Sequence, residues 1–266
     1  MLADFLHPAR FILQRSTNAL VRSLIYEGLT EVTPSLEAVP SLAESWTVSK
    51  DGKEYTFRLR KGVIFHDGKE MEAEDVKWSL ETILEPKNRA FMRATLSAVA
   101  KVEAMDRFLL KLTLKEPFAP LLTIALSGDT IILPKGSIPA GASLTSPLPG
   151  TGPFQFIEWR ERNQITLRAH KKYRQRGTPY LDEVIIRPVP SDDVRFLALR
   201  SGDVDLIEVV PYPMVNEVKK GKYPEIRLAP APIAGFRMFK MNVEAPHFSN
   251  PKVRRAVALA VDRKAY

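Results

Sequence analysis

Apolar and polar residues alternate over residues 46–59, and this pattern constrains the fold more than any other feature of the sequence. The alternation runs on both sides of the dipeptide Asp51–Gly52. Successive side chains of a strand point to opposite faces of a sheet, and Asp-Gly favours a tight hairpin turn. The segment therefore predicts a β-hairpin with one buried face. The apolar residues on that face are Trp46, Val48, Tyr55, Phe57 and Leu59.

An amphipathic helix is predicted directly after this hairpin, over Glu72–Leu84. Val76 and Leu80 recur at the spacing of one helical face. Glu74 and Asp75 lie in the first turn, where the helix dipole stabilises negative charge. A hairpin followed by a helix with an apolar stripe indicates a mixed α/β domain.

The rest of the chain continues this alternation of helices and strands, and its 266 residues allow one large domain or two ordinary ones. In the helix predicted over 191–201, Val194, Leu197 and Ala198 are expected to face inward. Further helices are predicted over 16–29 and from Asn250 onward. Further strands are predicted over 99–114 (two strands), 154–159, 164–170, 182–189, 204–210 and 235–243.

The stretch PGTGPFQFIEW, residues 149–159, could be a phosphate-binding loop or a turn that enters a strand. A dinucleotide fingerprint requires a third glycine and a following helix, whose amides face the phosphates. Here Pro153 removes an amide, and alternating strand residues follow it. We therefore interpret Gly150 and Gly152 as parts of a turn.

No catalytic or metal-ligating pattern stands out in the sequence. Cysteine is absent, and the four histidines show no ligand spacing. His66–Asp67 could be half of a catalytic dyad, but its position after an apolar run favours a surface turn. Asp192–Asp193 is explained by the dipole of the helix that it opens. These observations favour a binding protein, without cofactor or metal, over an enzyme.

The net charge of +8 is partly concentrated in residues 160–176. Such a stretch could contact nucleic acid, but a solvated pair of strands explains it better, because few aromatic residues lie among the charges. No apolar run approaches the ~20 residues of a membrane span. No signal peptide is visible either, so we expect a cytosolic chain or one that lacks its leader.

The segment PSLAESWTVSKDGKEYTFRLRKGVIFHDGKEMEAEDVKWSLETI, residues 40–83, resembles the signature of the family 5 extracytoplasmic solute-binding proteins. These are the peptide, oligopeptide and nickel binders of ABC importers. Further matches follow in the family's order: LIYEGL, GTGPFQFIEW, RSGDVDLIE and MNVEAPHFSNPKVRRAVALAVDR. The resemblance covers nearly the whole chain.

This resemblance implies an α/β, periplasmic-binding-protein-like fold of type II, cluster C. Residues 1–33 and 152–245 are then the first ligand-binding lobe, and residues 34–151 an inserted α+β subdomain. Residues 246–266 begin a second lobe that is mostly missing, so we expect a protein truncated at both ends.

The resemblance also implies a function: capture of peptides in an interlobe cleft, for an ABC permease and ATPase. The protein is then periplasmic or extracytoplasmic, membrane-associated through the transporter or a lipid anchor, monomeric at full length, and without a nucleic-acid partner. Nickel, oligosaccharide and opine ligands are alternatives within the family, and a ligand-sensing module of a transcriptional regulator is an alternative outside it. The residues implied to face the ligand are Gln14, Arg15, Ser16, Phe91, Arg93 and Asn242.

Overall fold

The structure is a computed structural model that describes residues 15–88, 90–138, 148–161, 163–229 and 240–262. The side chains of residues 15–19 and of Phe91 lie outside this description. The chain divides into two compact units, Met1–Ala229 and Pro230–Tyr266. Within the described residues, no helix is both long enough and apolar enough to cross a membrane.

A four-stranded antiparallel sheet is the largest sheet of the first unit. Its strands are β3 (Ala43–Val48), β4 (Glu54–Leu59), β5 (Val99–Asp106) and β6 (Leu109–Leu114), in the order β3-β4-β6-β5. The predicted hairpin is confirmed, because Trp46 pairs with Phe57 and Gly52 takes the positive φ of 69° that its turn requires. The predicted buried face is wrong at Val48, which is 46% exposed at the end of β3.

Helix α2 (Ala73–Leu84) packs against β5 and β6, as its apolar stripe predicts. Its start is fixed by a capping interaction, in which the Glu72 amide donates to the Asp75 carboxylate at 2.8 Å. Val76, Leu80 and Ile83 are almost completely buried in one cluster with the sheet residues. Each such side chain contributes about 1.5–3 kcal/mol of hydrophobic stabilisation.

A second, three-stranded antiparallel sheet has the order β7-β8-β9. Its strands are β7 (Phe154–Arg160), β8 (Gln164–Ala169) and β9 (Glu183–Ile186). Helix α1 (Arg15–Ile25) packs against β7. Val21 and Ile25 of α1 share a buried cluster with Phe154, Ile165 and Leu167. Strands β7 and β8 therefore form where the alternation of apolar and polar residues predicts them.

A short hairpin lies between α1 and the first sheet, and the sequence does not predict it. Its strands are β1 (Thr30–Val32) and β2 (Ala38–Pro40), each of three residues. Strands this short carry too little alternation to be recognised.

Helix α3 (Asp192–Ser201) forms where predicted, but its predicted inward face is wrong. Val194 and Leu197 are 54% and 60% exposed, whereas Phe196 is buried. Phe196 makes an edge-to-face contact with Tyr223, beyond α4 (Tyr212–Lys219). The buried ring and its aromatic partner stabilise this side of the helix, and Phe196 faces inward in place of the aliphatic stripe.

The strand predicted over residues 204–210 is absent from the structure. Leu206 and Val209 of this segment are exposed, and the segment joins no sheet. A strand needs a partner for its backbone groups, and apolar residues alone do not supply one.

The second unit contains helix α5 (Pro251–Ala260) among its described residues. The Asn250 side chain caps it, because its Oδ1 accepts from the Lys252 amide at 2.9 Å. None of the residues of α5 is buried. The strand predicted over 235–243 lies outside the described residues up to Phe239, and residues 240–243 form no strand.

Candidate functional site

Four of the predicted ligand-facing residues lie wholly or partly outside the described structure. Gln14 lies outside it entirely. Arg15 and Ser16 are the first two residues of α1, and Phe91 begins a 3-10 turn over Phe91–Arg93, but only the backbone of these three is described. Their side-chain contacts therefore remain predictions.

The side chains of Arg93 and Asn242 are described, and both residues are exposed. The Nε of Arg93 donates to the Leu84 carbonyl at 3.1 Å, at the end of α2. The Oδ1 of Asn242, in the second unit, accepts from the Glu244 amide at 3.1 Å. Each side chain keeps further hydrogen-bonding groups that can meet a ligand.

Helix α1 ends against the two glycines of the GTGPF motif. The Gly152 amide donates to the Ile25 carbonyl at 2.9 Å. A Cβ atom at Gly150 would lie 2.0 Å from the Ile25 carbonyl oxygen, and one at Gly152 would lie 2.6 Å from the Ile25 carbonyl carbon. Glycine is needed at both positions because two backbones touch there. The segment enters β7, as predicted. Its glycines serve this close contact and not the predicted turn, because neither of them has a positive φ.

We call this region the α1 junction. It comprises Ile25, Tyr26 and Glu27 at the end of α1, the segment Gly150–Pro153, and the side chains of His66, His170, Tyr173 and Arg174. The Tyr26 hydroxyl donates to the Leu148 carbonyl at 3.1 Å, beside the glycines. Burial raises the pKa of this hydroxyl above its usual range, so it remains a neutral donor.

His66 lies in a turn, as predicted, but its side chain is half-buried and contacts both glycines instead of facing solvent. Its backbone amide donates to the Gly150 carbonyl at 2.9 Å. The Gly150 amide donates to its Nδ1 at 3.3 Å, and its Nε2 lies 3.0 Å from the Gly152 carbonyl oxygen. A carbonyl only accepts, so Nε2 carries the proton and Nδ1 is the acceptor.

His170 meets the same carbonyl from the end of β8. Its Nδ1 lies 3.3 Å from the Gly152 oxygen, and its amide donates to the Pro153 carbonyl at 2.8 Å. The two imidazole rings are nearly perpendicular, with centroids 4.8 Å apart. Burial lowers the pKa of both rings, and that of His66 falls to about 4. At neutral pH both rings are therefore uncharged.

A buried ion pair closes the other side of the α1 junction. Oε1 of Glu27 accepts from Arg174 at 2.9 Å (Nε) and 2.8 Å (Nη2), and from the Tyr173 hydroxyl at 3.0 Å. The side chains of Glu27 and Arg174 are only 10% and 13% exposed. Burial and the Glu27 charge raise the pKa of Tyr173, which keeps its hydroxyl protonated. Helix α1 is thus tied to the segment after β8 by charge-assisted bonds.

A third contact lies one turn earlier in α1, where Arg22 forms an ion pair with Asp129. The α1 junction and this pair anchor the end of an 11-residue helix whose start carries predicted ligand-facing residues. The sequence analysis did not predict these contacts. The only signals for them in the sequence are the two glycines of GTG and Glu27, the acidic residue of LIYEGL.

The described residues hold no group of three or more His, Asp or Glu side chains placed to bind a metal ion. The arrangement in this part of the chain is one of hydrogen bonds and ion pairs that position a helix.

Comparison with known proteins gives one family over most of the chain. Residues 37–266 match the family described as bacterial extracellular solute-binding proteins, family 5 middle. The glutathione-binding protein GsiB of Escherichia coli (strain K12) is 32% identical over 246 residues, which are 92% of this chain and 48% of GsiB. The chain therefore spans about half the length of the curated relatives it matches.

Two solved structures share the fold. AgaA from A. tumefaciens R10, in complex with agropinic acid, is 35% identical with a TM-score of 0.74, and the match covers 83% of this chain and 44% of AgaA. DppA from Helicobacter pylori, in complex with the peptide STSA, is 26% identical with a TM-score of 0.75. The match covers 98% of this chain and 55% of DppA. These matches confirm the predicted periplasmic-binding-protein-like α/β fold.

Proposed function

Because the chain belongs to family 5 of the bacterial extracellular solute-binding proteins, we propose that it is part of the peptide-binding component of an ABC importer. In this proposal the protein works outside the cytoplasmic membrane, in the periplasm or its equivalent. It binds a short peptide or peptide-like solute in a cleft and delivers it to a permease, which an ATPase drives.

The two apolar clusters of the first unit support the proposed lobe and subdomain. One cluster draws its buried residues from Leu29 to Ile132, which is close to the inserted subdomain at 34–151. The other combines α1 with Phe154, Ile165 and Leu167 of the proposed first lobe at 1–33 and 152–245. It also takes in Ile131, Leu133 and Leu148 from the end of the proposed subdomain. Separate cores of this kind are typical of separately packed substructures. Residues 246–266 remain the proposed start of a second lobe.

The observation that carries the peptide proposal is the match to GsiB along 92% of the chain. Glutathione is a tripeptide, and DppA, which matches 98% of the chain, holds a tetrapeptide. A peptide offers main-chain amides and carbonyls at regular spacing. Polar groups and bound water in a cleft can pair with these groups whatever side chains the peptide carries.

An opine is the second candidate ligand, and one observation favours it. The identity to AgaA, whose structure holds agropinic acid, is 35%, against 26% for the peptide complex of DppA. The AgaA match covers less of this chain, 83% against 98%. We prefer the peptide because the GsiB match combines high coverage with 32% identity.

The proposed ligand-facing residues are Gln14, Arg15, Ser16, Phe91, Arg93 and Asn242. The contacts around α1 support a role for its first residues. Rigid support within about 0.5 Å is what a binding group needs. The Glu27–Arg174 pair and the Gly152–Ile25 bond give α1 such support at its other end.

A ligand panel tests the proposal. The natural protein that carries this chain would be heated with glutathione, trialanine, tetra-alanine, agropinic acid and a nickel–histidine complex in parallel. A ligand that binds the folded state raises the midpoint of unfolding. We expect a rise with at least one peptide. A rise with agropinic acid or the nickel complex alone would replace the peptide by that ligand.

A further inference from the structure

The two histidines of the α1 junction lie in segments that follow strands of two different sheets, and they meet at one carbonyl. His66 lies after β4, in the turn that follows Phe65, and His170 follows β8 directly. Between them passes the segment Gly150–Pro153, which leads the chain into β7. The Gly152 oxygen has two lone pairs, and each imidazole ring lies within hydrogen-bonding distance of it.

Only one protonation state of His66 satisfies its surroundings. Nε2 donates to Gly152, so Nδ1 must be bare to accept the Gly150 amide. A proton added at Nδ1 would turn this acceptor into a donor that faces another donor. It would also place a positive charge in a half-buried ring whose neighbour is His170 at 4.8 Å. Both effects oppose the contact with Gly150.

Few neighbouring charged groups would stabilise a positive charge on His66 or His170. Within the described residues, the charged groups that act on the pair are Asp67, which favours protonation of His66, and Lys172, which opposes protonation of His170. The Asp67 carboxylate is partly exposed and lies 3.7 Å from the Lys69 ammonium, which offsets part of its effect. Burial outweighs it, and His66 remains neutral until the pH approaches 4.

We propose that His66 is an acid-sensitive latch, which holds the segment Gly150–Pro153 against the end of α1 when neutral and releases it when Nδ1 takes a proton. Release breaks the bond from the Gly150 amide and weakens the neighbouring bond from the Gly152 amide to Ile25. Since that bond anchors α1, the latch couples acidity to the position of the helix. The inference is independent of which solute the protein binds.

The pH window follows from the two states of the ring. The unfolded or released ring takes its proton near the usual pKa of 6.5, whereas the latched ring does so at about 4. The latch therefore contributes its full stabilisation above about pH 6.5 and loses it as the pH falls from there towards 4.

Hydrogen exchange of single amides tests the latch in the natural protein. The protection of the Gly150 and Gly152 amides, each divided by that of the β4 amides in the same sample, would be followed from about pH 7 to about pH 4.5. We expect both ratios to fall at least about tenfold in the wild type, since the two states differ in bound protons across this window. Ratios that stay constant would overturn the proposal.

Two variants separate the latch from general acid sensitivity. His66→Gln keeps a side-chain donor for Gly152 but cannot titrate, so its ratios should change less than about threefold over the same range. His247→Gln removes an exposed histidine of the second unit and should respond as the wild type does. A His66→Gln protein with the wild-type response would contradict the latch.

A direct measurement of the tautomer covers the case in which His66→Gln does not fold. Long-range proton–nitrogen NMR spectra of the wild type at neutral pH should show His66 with a proton on Nε2 and none on Nδ1. A proton on Nδ1, or a doubly protonated ring near pH 6, would refute the latch without any variant.

Discussion

At the scale of single residues, Gly150 is the most tightly constrained position of the α1 junction. We predict that Gly150→Ala destabilises the protein by about 2–4 kcal/mol, because the added Cβ would lie 2.0 Å from a backbone oxygen that cannot rotate away. Urea unfolding of both proteins measures this loss.

Gly128→Ala is the matched control for that experiment. A Cβ atom at Gly128 would meet nothing within 4 Å, and this residue does not need a positive φ. Its substitution should change the free energy of unfolding by less than about 0.5 kcal/mol. Equal losses at both positions would contradict the close approach at Gly150.

The Glu27–Arg174 pair gives a second prediction at this scale. Glu27→Ala should cost about 3–5 kcal/mol, because it leaves the buried guanidinium of Arg174 without its partner. Lys171→Ala is the control, since Lys171 and Asp182 form an ion pair whose side chains are 76% and 91% exposed. That change should cost less than about 1 kcal/mol. A similar loss from both changes would show that burial of the first pair is unimportant.

The sequence predicts the conformation of these residues better than it predicts their contacts. The alternation after Pro153 predicts that the GTG segment enters a strand, and β7 begins directly after it at Phe154. The reason for glycine is the approach of Ile25, which lies far away in the sequence. His66 shows the same limit, because the partners that fix its tautomer come from the Gly150–Gly152 segment.

At the scale of secondary-structure elements, helix α3 tests how apolar patterns are interpreted. We predict that Phe196→Ala costs about 3–5 kcal/mol, because the ring is buried against Tyr223. Leu197→Gln should change the free energy of unfolding by less than about 0.5 kcal/mol, since Leu197 is 60% exposed. Chemical unfolding of the two variants measures the difference. A larger loss of unfolding free energy for Leu197→Gln than for Phe196→Ala would support the inward face that the sequence predicts.

Elements of six or more residues with a partner near them in the chain are the ones that the sequence predicts well. The β3–β4 hairpin and α2 follow one another, so alternation and an apolar stripe suffice to identify them. The apolar run at residues 204–210 has the composition of a strand but joins no sheet. Whether a neighbouring strand is available for pairing depends on the folded chain, so a local sequence pattern does not predict it.

At the scale of the whole molecule, the proposed ligand residues give a prediction about affinity. Arg93→Ala and Asn242→Ala should each weaken peptide binding by roughly tenfold, the loss of one or two hydrogen bonds to a ligand. Arg58→Ala is the control, because Arg58 is an exposed arginine of β4 whose side chain is 66% accessible. Its affinity should equal that of the wild type. Unchanged affinity in all three variants would remove Arg93 and Asn242 from the site.

The family and fold were predictable from ordered motifs that extend from LIYEGL to the segment before α5, and the match over residues 37–266 agrees with them. The ligand was not predictable in the same way. Relatives with this fold hold a peptide in one case and agropinic acid in another. A small number of polar groups in a cleft sets that choice, and they change without altering the core.

The most direct test of the central proposal is titration calorimetry of the natural protein with glutathione and with trialanine. The proposal predicts saturable binding of at least one of them, at one site per protein and with a Kd at or below about 10 μM. No saturable heat with any short peptide, together with one-site binding of agropinic acid, would contradict it.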